Sequence, residues 1–237
     1  MYTKLYTIYS EAEYQMTTDT RKHKAYHFLK SRILEQQFLP GQHLVEDTIA
    51  KKLGISRTPV REAIRELSRE GLVAISPNRR AVVRTLTTEE LLDIFDIKIR
   101  LEGLCAAHAA ERSSKATAQE LSKALKAMAA AAKAHDKQAY LRADEIYHGV
   151  IYVGAKNERI KQIITDLNTQ WHRMRQGMAA IESRMETAVE EHRRIADAIG
   201  AGDSQAAETA MRVHLENLRD EIRDILSDFI QPLGGVA

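Results

Sequence analysis

The sequence predicts a mainly α protein in two parts: a basic N-terminal module of three helices and a β-hairpin, and a C-terminal all-α antiparallel helical bundle. Three observations carry that expectation. Charge is divided along the chain. Residues 21–85 hold 14 Lys and Arg against 6 Asp and Glu, net +8, and residues 86–237 hold 20 against 24, net −4. Residues 1–20 add −2, so the whole is only +2. Proline is divided at the same border. Pro40, Pro59 and Pro77 lie in the basic block, Pro232 lies in the tail, and the stretch between holds none, which permits long helices. That stretch is also rich in Ala, Leu, Glu, Lys and Arg, the good helix formers. With aromatic residues at 5% of the chain, its core should be aliphatic.

These borders give four segments: a flexible arm at 1–20, a basic domain at 21–85, a helical domain at 86–231 and a tail at 232–237. Met16 reads as the native start, with 1–15 an extension. A single cysteine excludes a disulfide framework, a Cys-based zinc finger and a CxxC redox site. No apolar run approaches the roughly 18–20 residues needed to span a bilayer. The N-terminus carries Tyr2, Tyr6, Tyr9, Glu11 and Glu13 rather than a basic and then apolar leader. The expectation is a cytoplasmic protein with no membrane partner.

In the basic block, residues 22–37 read as a helix, with Ala25, Phe28, Leu29 and Ile33 on one face and Leu39-Pro40-Gly41 as its stop. A shorter helix runs from Glu46 to Leu53, and Gly54 suits its left-handed C-cap. The third helix starts with Thr58 as N-cap and Pro59 at the first helical position. Val60, Ile64 and Leu67 form its buried stripe, while Arg61 and Arg65 point elsewhere. Residues 72–75 and 81–84 are β-prone runs around Ser76-Pro77-Asn78-Arg79-Arg80, a hairpin with a basic tip.

That order of elements, with that sign of charge, describes a winged helix-turn-helix. The third helix suits the major groove, because its N-terminal end brings free N–H groups and Arg57 and Arg61 toward phosphates and base edges. Arg79 at the hairpin tip suits the minor groove, whose negative potential attracts guanidinium. Arg65, Asn78 and Arg80 extend the same DNA-binding set.

The runs Pro40-Gly41-Gln42-His43-Leu44, Leu53-Gly54-Ile55-Ser56-Arg57-Thr58-Pro59-Val60-Arg61-Glu62-Ala63-Ile64 and Glu70-Gly71-Leu72-Val73, with Pro77-Asn78-Arg79, closely resemble the DNA-binding domain of GntR-type bacterial transcription regulators over residues 21–85. The resemblance implies that Arg57 and Arg61 contact operator DNA, that Thr58 touches phosphate and that Asn78-Arg79 form the wing tip. The chain departs from the pattern twice. Arg80 stands where the wing often has Gly, and the acidic pair Glu46-Asp47 stands where some members carry a base-reading Arg. The sequence preference of those members therefore does not transfer.

In the second part, Thr87/Glu90, Thr117/Glu120 and Ser183/Glu186 are spaced as capping boxes, and Asn157 and Asp203 suit N-caps. Gly154, Gly200 and Gly202 fall near helix ends. Six helices follow, near 88–112, 117–134, 136–154, 157–180, 184–200 and 203–229. Asp144 and His148, four apart, share one helical face; His192 and His214 lie on the last two helices. One carboxylate and three imidazoles suit a borderline divalent metal, and a bundle interior is where such sites are built. Taken singly, each His equally suits a surface or a satisfied core position.

Phe95-Asp96-Ile97, Leu101-Glu102-Gly103, Ala109-Ala110-Glu111-Arg112, Asp144 with His148, Glu191-His192-Arg193, and Gly202-Asp203 with His214 resemble the FCD effector domain of the FadR subfamily over residues 87–230. The resemblance implies metal ligands at Asp144, His148, His192 and His214, for zinc first, with nickel and manganese compatible. It also implies a small carboxylate effector. Lys98 stands where members commonly carry Arg, and Arg100, Arg173 and Arg175 are the other candidate effector-binding cations. The expected function is a homodimeric, ligand-responsive regulator, a repressor by resemblance, reading two half-sites of operator DNA. A metal sensor is one alternative. A metal-dependent hydrolase with Glu145 or Glu191 as base is another, but nothing marks a nucleophile or an oxyanion hole, and the chain is read as a non-enzyme.

Overall fold

The computed structural model describes residues 21–78, 80–178 and 182–230, the side chains of 172–178, 182–183 and 226–230 excepted. The expected arm at 1–20, the proposed start at Met16, Arg79, and the tail at 232–237 lie outside the described residues, as do the side chains of Arg173 and Arg175. The chain divides into two compact units, Met1–Thr85 and Leu86–Ala237. One is a winged helix-turn-helix with a small sheet; the other is all helical.

The first unit runs α1 (Arg21–Leu34), β1 (His43–Leu44), α2 (Glu46–Leu53), α3 (Arg57–Arg69), β2 (Val73–Ile75) and β3 (Ala81–Val83). Ala25, Leu29 and Ile33 recur every turn of α1 and are fully buried, against Val60, Ile64 and Leu67 of α3 and Leu72, Val73 and Val83 beyond it. Two boundaries differ from the sequence expectation. Helix α1 ends at Leu34, before the Pro-Gly stop, because Gln36 turns into the left-handed region (φ 57°) and the Gln37 N–H returns to the Arg32 carbonyl at 2.8 Å. Helix α3 is capped by Ser56, which puts Arg57 at the first helical position and Pro59 at the third. Pro59 is still within the first turn, where its missing N–H leaves no intrahelical bond unmade. Gly54 takes the expected left-handed conformation (φ 67°, ψ 36°) and lets α2 turn sharply toward α3.

The hairpin pairs Val73 with Val83 and Ile75 with Ala81. A third strand, β1, adds to β3 through His43↔Val82 and Leu44↔Ala81. Two residues are too few to show a period in sequence; their pairing comes from tertiary contact.

The second unit runs α4 (Thr88–Glu111), α5 (Lys115–Lys133), α6 (Lys137–Gly154), α7 (Glu158–Met178), α8 (Glu182–Ala201) and α9 (Ser204–Ile230). The Thr87/Glu90 capping box is formed reciprocally, at 3.1 and 3.0 Å. Asn157 and Asp203 cap α7 and α9 through their side chains. The Thr117/Glu120 box does not open α5. Ser114 caps it three residues earlier and accepts the Thr117 N–H at 3.1 Å. Helix α8 already runs from Glu182, so Ser183 is not its cap.

Helix α4 is the centre of the unit and packs against α6, α7, α8 and α9. Burial on several sides explains why it carries Leu91, Phe95, Ile99, Cys105, Ala106 and Ala109 in its interior faces. The core is not purely aliphatic. Phe95 meets Trp171 edge to face with centroids 4.8 Å apart, and Tyr140, Tyr147 and Tyr152 are buried too. These large rings fill the space between several converging helices.

Candidate metal centre and nucleic-acid interface

Helices α6, α8 and α9 each turn an imidazole to one point. His192 is fully buried, His214 nearly so, and their ring centroids lie 4.3 Å apart. The His148 ring lies 5.2 Å from His192 and 5.7 Å from His214. One nitrogen from each of the three falls within 4.8 Å of the others. Asp144, one turn before His148, brings Oδ1 to 3.2 Å from His192 Nε2 and 3.9 Å from His148 Nε2.

The opposite edge of each ring is held by an acceptor. His148 Nδ1 faces Glu102 Oε2 at 3.0 Å, His192 Nδ1 faces the Ala188 carbonyl at 2.6 Å, and His214 Nδ1 faces Glu191 Oε2 at 2.7 Å. A carbonyl or carboxylate oxygen accepts, so in each neutral ring the proton sits on Nδ1 and the Nε2 lone pair points inward. His148 Nε2 and His192 Nε2 then oppose each other at 3.2 Å, beside a carboxylate oxygen. Converging lone pairs repel unless a cation lies among them. Such a donor set could hold a metal, with its inward lone pairs already oriented.

Both carboxylates behind the rings are themselves neutralised. Glu102, fully buried on α4, accepts from the Lys98 ammonium, from His148 and from the Tyr152 hydroxyl at 2.8 Å. Burial pushes its carboxyl up, but the Lys98 charge and the bond from His148 outweigh that and hold it well below the carboxylate range. Glu191 accepts from His214, from Asn217 at 2.8 Å and from both terminal nitrogens of Arg184 at 3.0–3.2 Å. Its carboxyl is likewise raised by burial and lowered more by His214, Asn217 and Arg184, to about 2. His214 is lowered to about 4, first by burial and then by the neighbouring His192. Glu102, Glu191, Lys98 and Arg184 thus form an outer layer around the imidazoles. Sequence reasoning used Glu102 and Glu191 as motif residues, and Glu191 as a candidate base, but placed neither behind a histidine; no spacing rule links either to its imidazole.

The two described candidate effector cations, Lys98 and Arg100, are not gathered together. Lys98 is buried and bonded to Glu102 and to the Asn168 side chain. Arg100 is exposed, because two residues are about 200° around a helix from Lys98. A cleft of about 640 Å³, which the sequence did not reveal, is lined by α8 and α9 residues including Arg194, Thr187, Thr209, Glu191 and His214.

In the first unit Arg57, Thr58, Arg61 and Arg65 are all exposed on α3, opposite its buried stripe, and Asn78 and Arg80 are exposed in the hairpin. Arg61 forms a two-pronged bond to Glu46, Nε to Oε1 at 2.9 Å and Nη2 to Oε2 at 2.7 Å. Arg57 grips Asp47 in the same way. The bond from Arg61 is the main reason the Glu46 carboxyl titrates low.

Known proteins share both halves. The profile of the gntR family of bacterial regulatory proteins matches residues 21–83, and that of the FCD domain matches residues 93–217, more than half the chain. The chain belongs to the GntR family. It is 30% identical over 201 residues to a Paenarthrobacter nicotinovorans protein named "Probable D-xylose utilization operon transcriptional repressor", covering 85% of this chain and 88% of that one. It is 26% identical over 204 residues to the HTH-type transcriptional regulator YdhC of Bacillus subtilis (strain 168), covering 86% and 91%. The solved E. coli McbR/YncC shares the fold, with a TM-score of 0.71 at 20% identity over 88% of this chain and 100% of that one.

As a GntR-family member with an FCD domain, the chain is a DNA-binding transcription regulator with a ligand-binding domain, and not an enzyme. That sets the hydrolase alternative aside. Its two candidate bases agree: Glu191 is engaged by three partners, and Glu145 is exposed. No helix among the described residues is long and apolar enough to cross a membrane.

Proposed function

We propose that this GntR-family regulator is a homodimeric, ligand-responsive repressor whose helical domain holds a divalent metal and takes a small carboxylate effector. One observation carries the reading: Asp144 Oδ1 and the imidazoles of His148, His192 and His214 converge while an acceptor holds every Nδ1. Zinc suits this mixed nitrogen and oxygen set first, and nickel and manganese are compatible. When bound, the metal would supply Lewis-acid coordination to an effector oxygen. Lys98 acts through Glu102 by fixing the carboxylate that orients His148. Arg173 and Arg175 are retained as effector cations, and the α8–α9 cleft has the size of a small-molecule site.

On DNA, Arg57, Thr58, Arg61 and Arg65 meet the major groove, and Asn78, Arg79 and Arg80 meet the minor groove. The effector changes operator affinity only as far as it favours one state of the domain that sets the spacing of the paired readers, typically about 5–150-fold.

The test combines elemental analysis of purified protein with DNA-binding titrations. Arg57→Ala and Arg61→Ala should weaken operator binding without changing metal content. Organic acids should lower the affinity of metal-loaded protein for DNA. If metal alone lowers it, the metal is the signal. If the protein shows no salt-sensitive affinity for any duplex, its own promoter included, the reading fails.

A further inference from the structure

Two carboxylates stand on the surface that reads DNA, where repulsion from phosphate should exclude them. Glu46 and Asp47 open α2, and both are tied to α3 across the turn at Gly54. What they hold is specific. Each takes the Nε edge of a guanidinium: Asp47 binds Nε and Nη2 of Arg57, and Glu46 binds Nε and Nη2 of Arg61. A guanidinium has five N–H donors in a planar fork. A carboxylate on the Nε side consumes two of them and leaves the two on Nη1 and one on Nη2. One N–H on Nη1 and the one left on Nη2 form the end edge of the side chain, which can meet guanine O6 and N7 in a two-pronged bond, while the other Nη1 N–H points to the opposite side. Both arginine side chains remain well exposed, at 60% and 48%.

Resting on the DNA-reading function proposed above, we infer that Glu46 and Asp47 are positioning residues. They lock Arg57 and Arg61 with their end edges turned to the groove and so set a preference for guanine in each half-site. An untethered arginine samples many rotamers and satisfies itself on any phosphate. A tethered one has already lost that freedom and presents one rigid fork. The carboxylates lower affinity for DNA in general, because they place negative charge near the backbone, and they raise discrimination between bases. This also accounts for acidic residues at a place where other members carry a base-reading arginine: here α2 supports the readers on α3 instead of reading itself.

The experiment selects duplexes from a randomised library with the full-length wild-type protein. Affinity for a selected duplex and for a shuffled duplex of equal length is then measured over a range of salt. The variants are Asp47→Asn, Glu46→Gln, Arg57→Lys and Arg57→Ala. The amides keep the shape of the carboxylates at half-buried positions, so folding is preserved, as a thermal melt would verify. Asp47→Asn and Glu46→Gln should keep or raise affinity for the shuffled duplex, and should lower selectivity for the selected one by about 5–150-fold, the worth of one two-pronged base contact. Repeating the selection with Asp47→Asn should relax the guanine preference at one position of each half-site. Arg57→Lys, which keeps the charge and loses the fork, should behave like Asp47→Asn. Arg57→Ala should weaken both duplexes.

Selectivity unchanged within about twofold in both amide variants, or an equal loss on both duplexes, would overturn the inference while leaving DNA binding intact. A wild-type protein that enriches no sequence would instead overturn the DNA-reading function itself.

Discussion

Glu102 offers a way to separate the outer layer of the proposed metal centre from the stability of the bundle. Its Oε2 accepts from His148 Nδ1 at 3.0 Å and Tyr152 at 2.8 Å, and its Oε1 accepts from Lys98. Glu102→Gln keeps the volume and one acceptor oxygen but removes the charge. Lys98, with only 4% of its surface exposed, is then a buried cation without a counterion. Breaking one side of a buried pair costs about 3–5 kcal/mol, because the remaining charge is left uncompensated. The double variant Lys98→Met/Glu102→Gln removes both charges and should recover much of that loss, since a buried pair and apolar residues of similar volume differ little in stability. Metal affinity should behave differently. The imidazole of His148 loses its carboxylate in both variants, and losing such an outer partner typically weakens binding about 10–100-fold. Urea melts of metal-free protein report the first quantity, and competition with a chelator reports the second. If the double variant is no more stable than the single one, Lys98 is not a buried charge balanced by Glu102. If metal affinity is unchanged in both, Glu102 does not orient His148.

Three further outcomes are expected. His192→Ala should lower metal occupancy, read by elemental analysis, while leaving non-specific DNA binding in place; full occupancy removes His192 from the ligand set. In metal-free protein, His214 is lowered from its ordinary 6.5 to about 4, first by burial. The unfolded chain then binds the proton at higher pH than the folded one, so the His214 contribution to stability should fall as pH drops from about 6.5 toward 4 and change no further below. Glu191 works in the same direction further down, its stabilisation present above about 4.5 and lost as pH falls toward about 2. A stability curve that is flat from pH 6.5 to 4 would refute a buried, neutral His214. Phe95→Ala should cost about 3–5 kcal/mol in a urea melt, because it removes a fully buried ring that also contacts Trp171 edge to face.

Much of this protein is legible in its sequence because the rules involved act over one or two helical turns. The stripe Val60, Ile64 and Leu67, the left-handed Gly54, the reciprocal Thr87/Glu90 box and the shared face of Asp144 and His148 all depend on neighbours at most seven residues away. Helix starts were legible to within a turn only. Several nearby residues can each stand at the start of a helix, and Ser56 and Ser114 hold the N-cap places rather than Thr58 and Thr117, Ser114 alone of the two through a side-chain bond.

What the tertiary structure alone decided is which distant groups face each other. Glu102 meets His148 across 46 residues, Glu191 meets His214 across 23, and Asp47 meets Arg57 across a turn that only the packed fold closes. Local sequence determines the conformation of a segment and the type of its donors. The direction from which a lone pair is approached depends on how helices dock, and docking is a property of the whole buried surface.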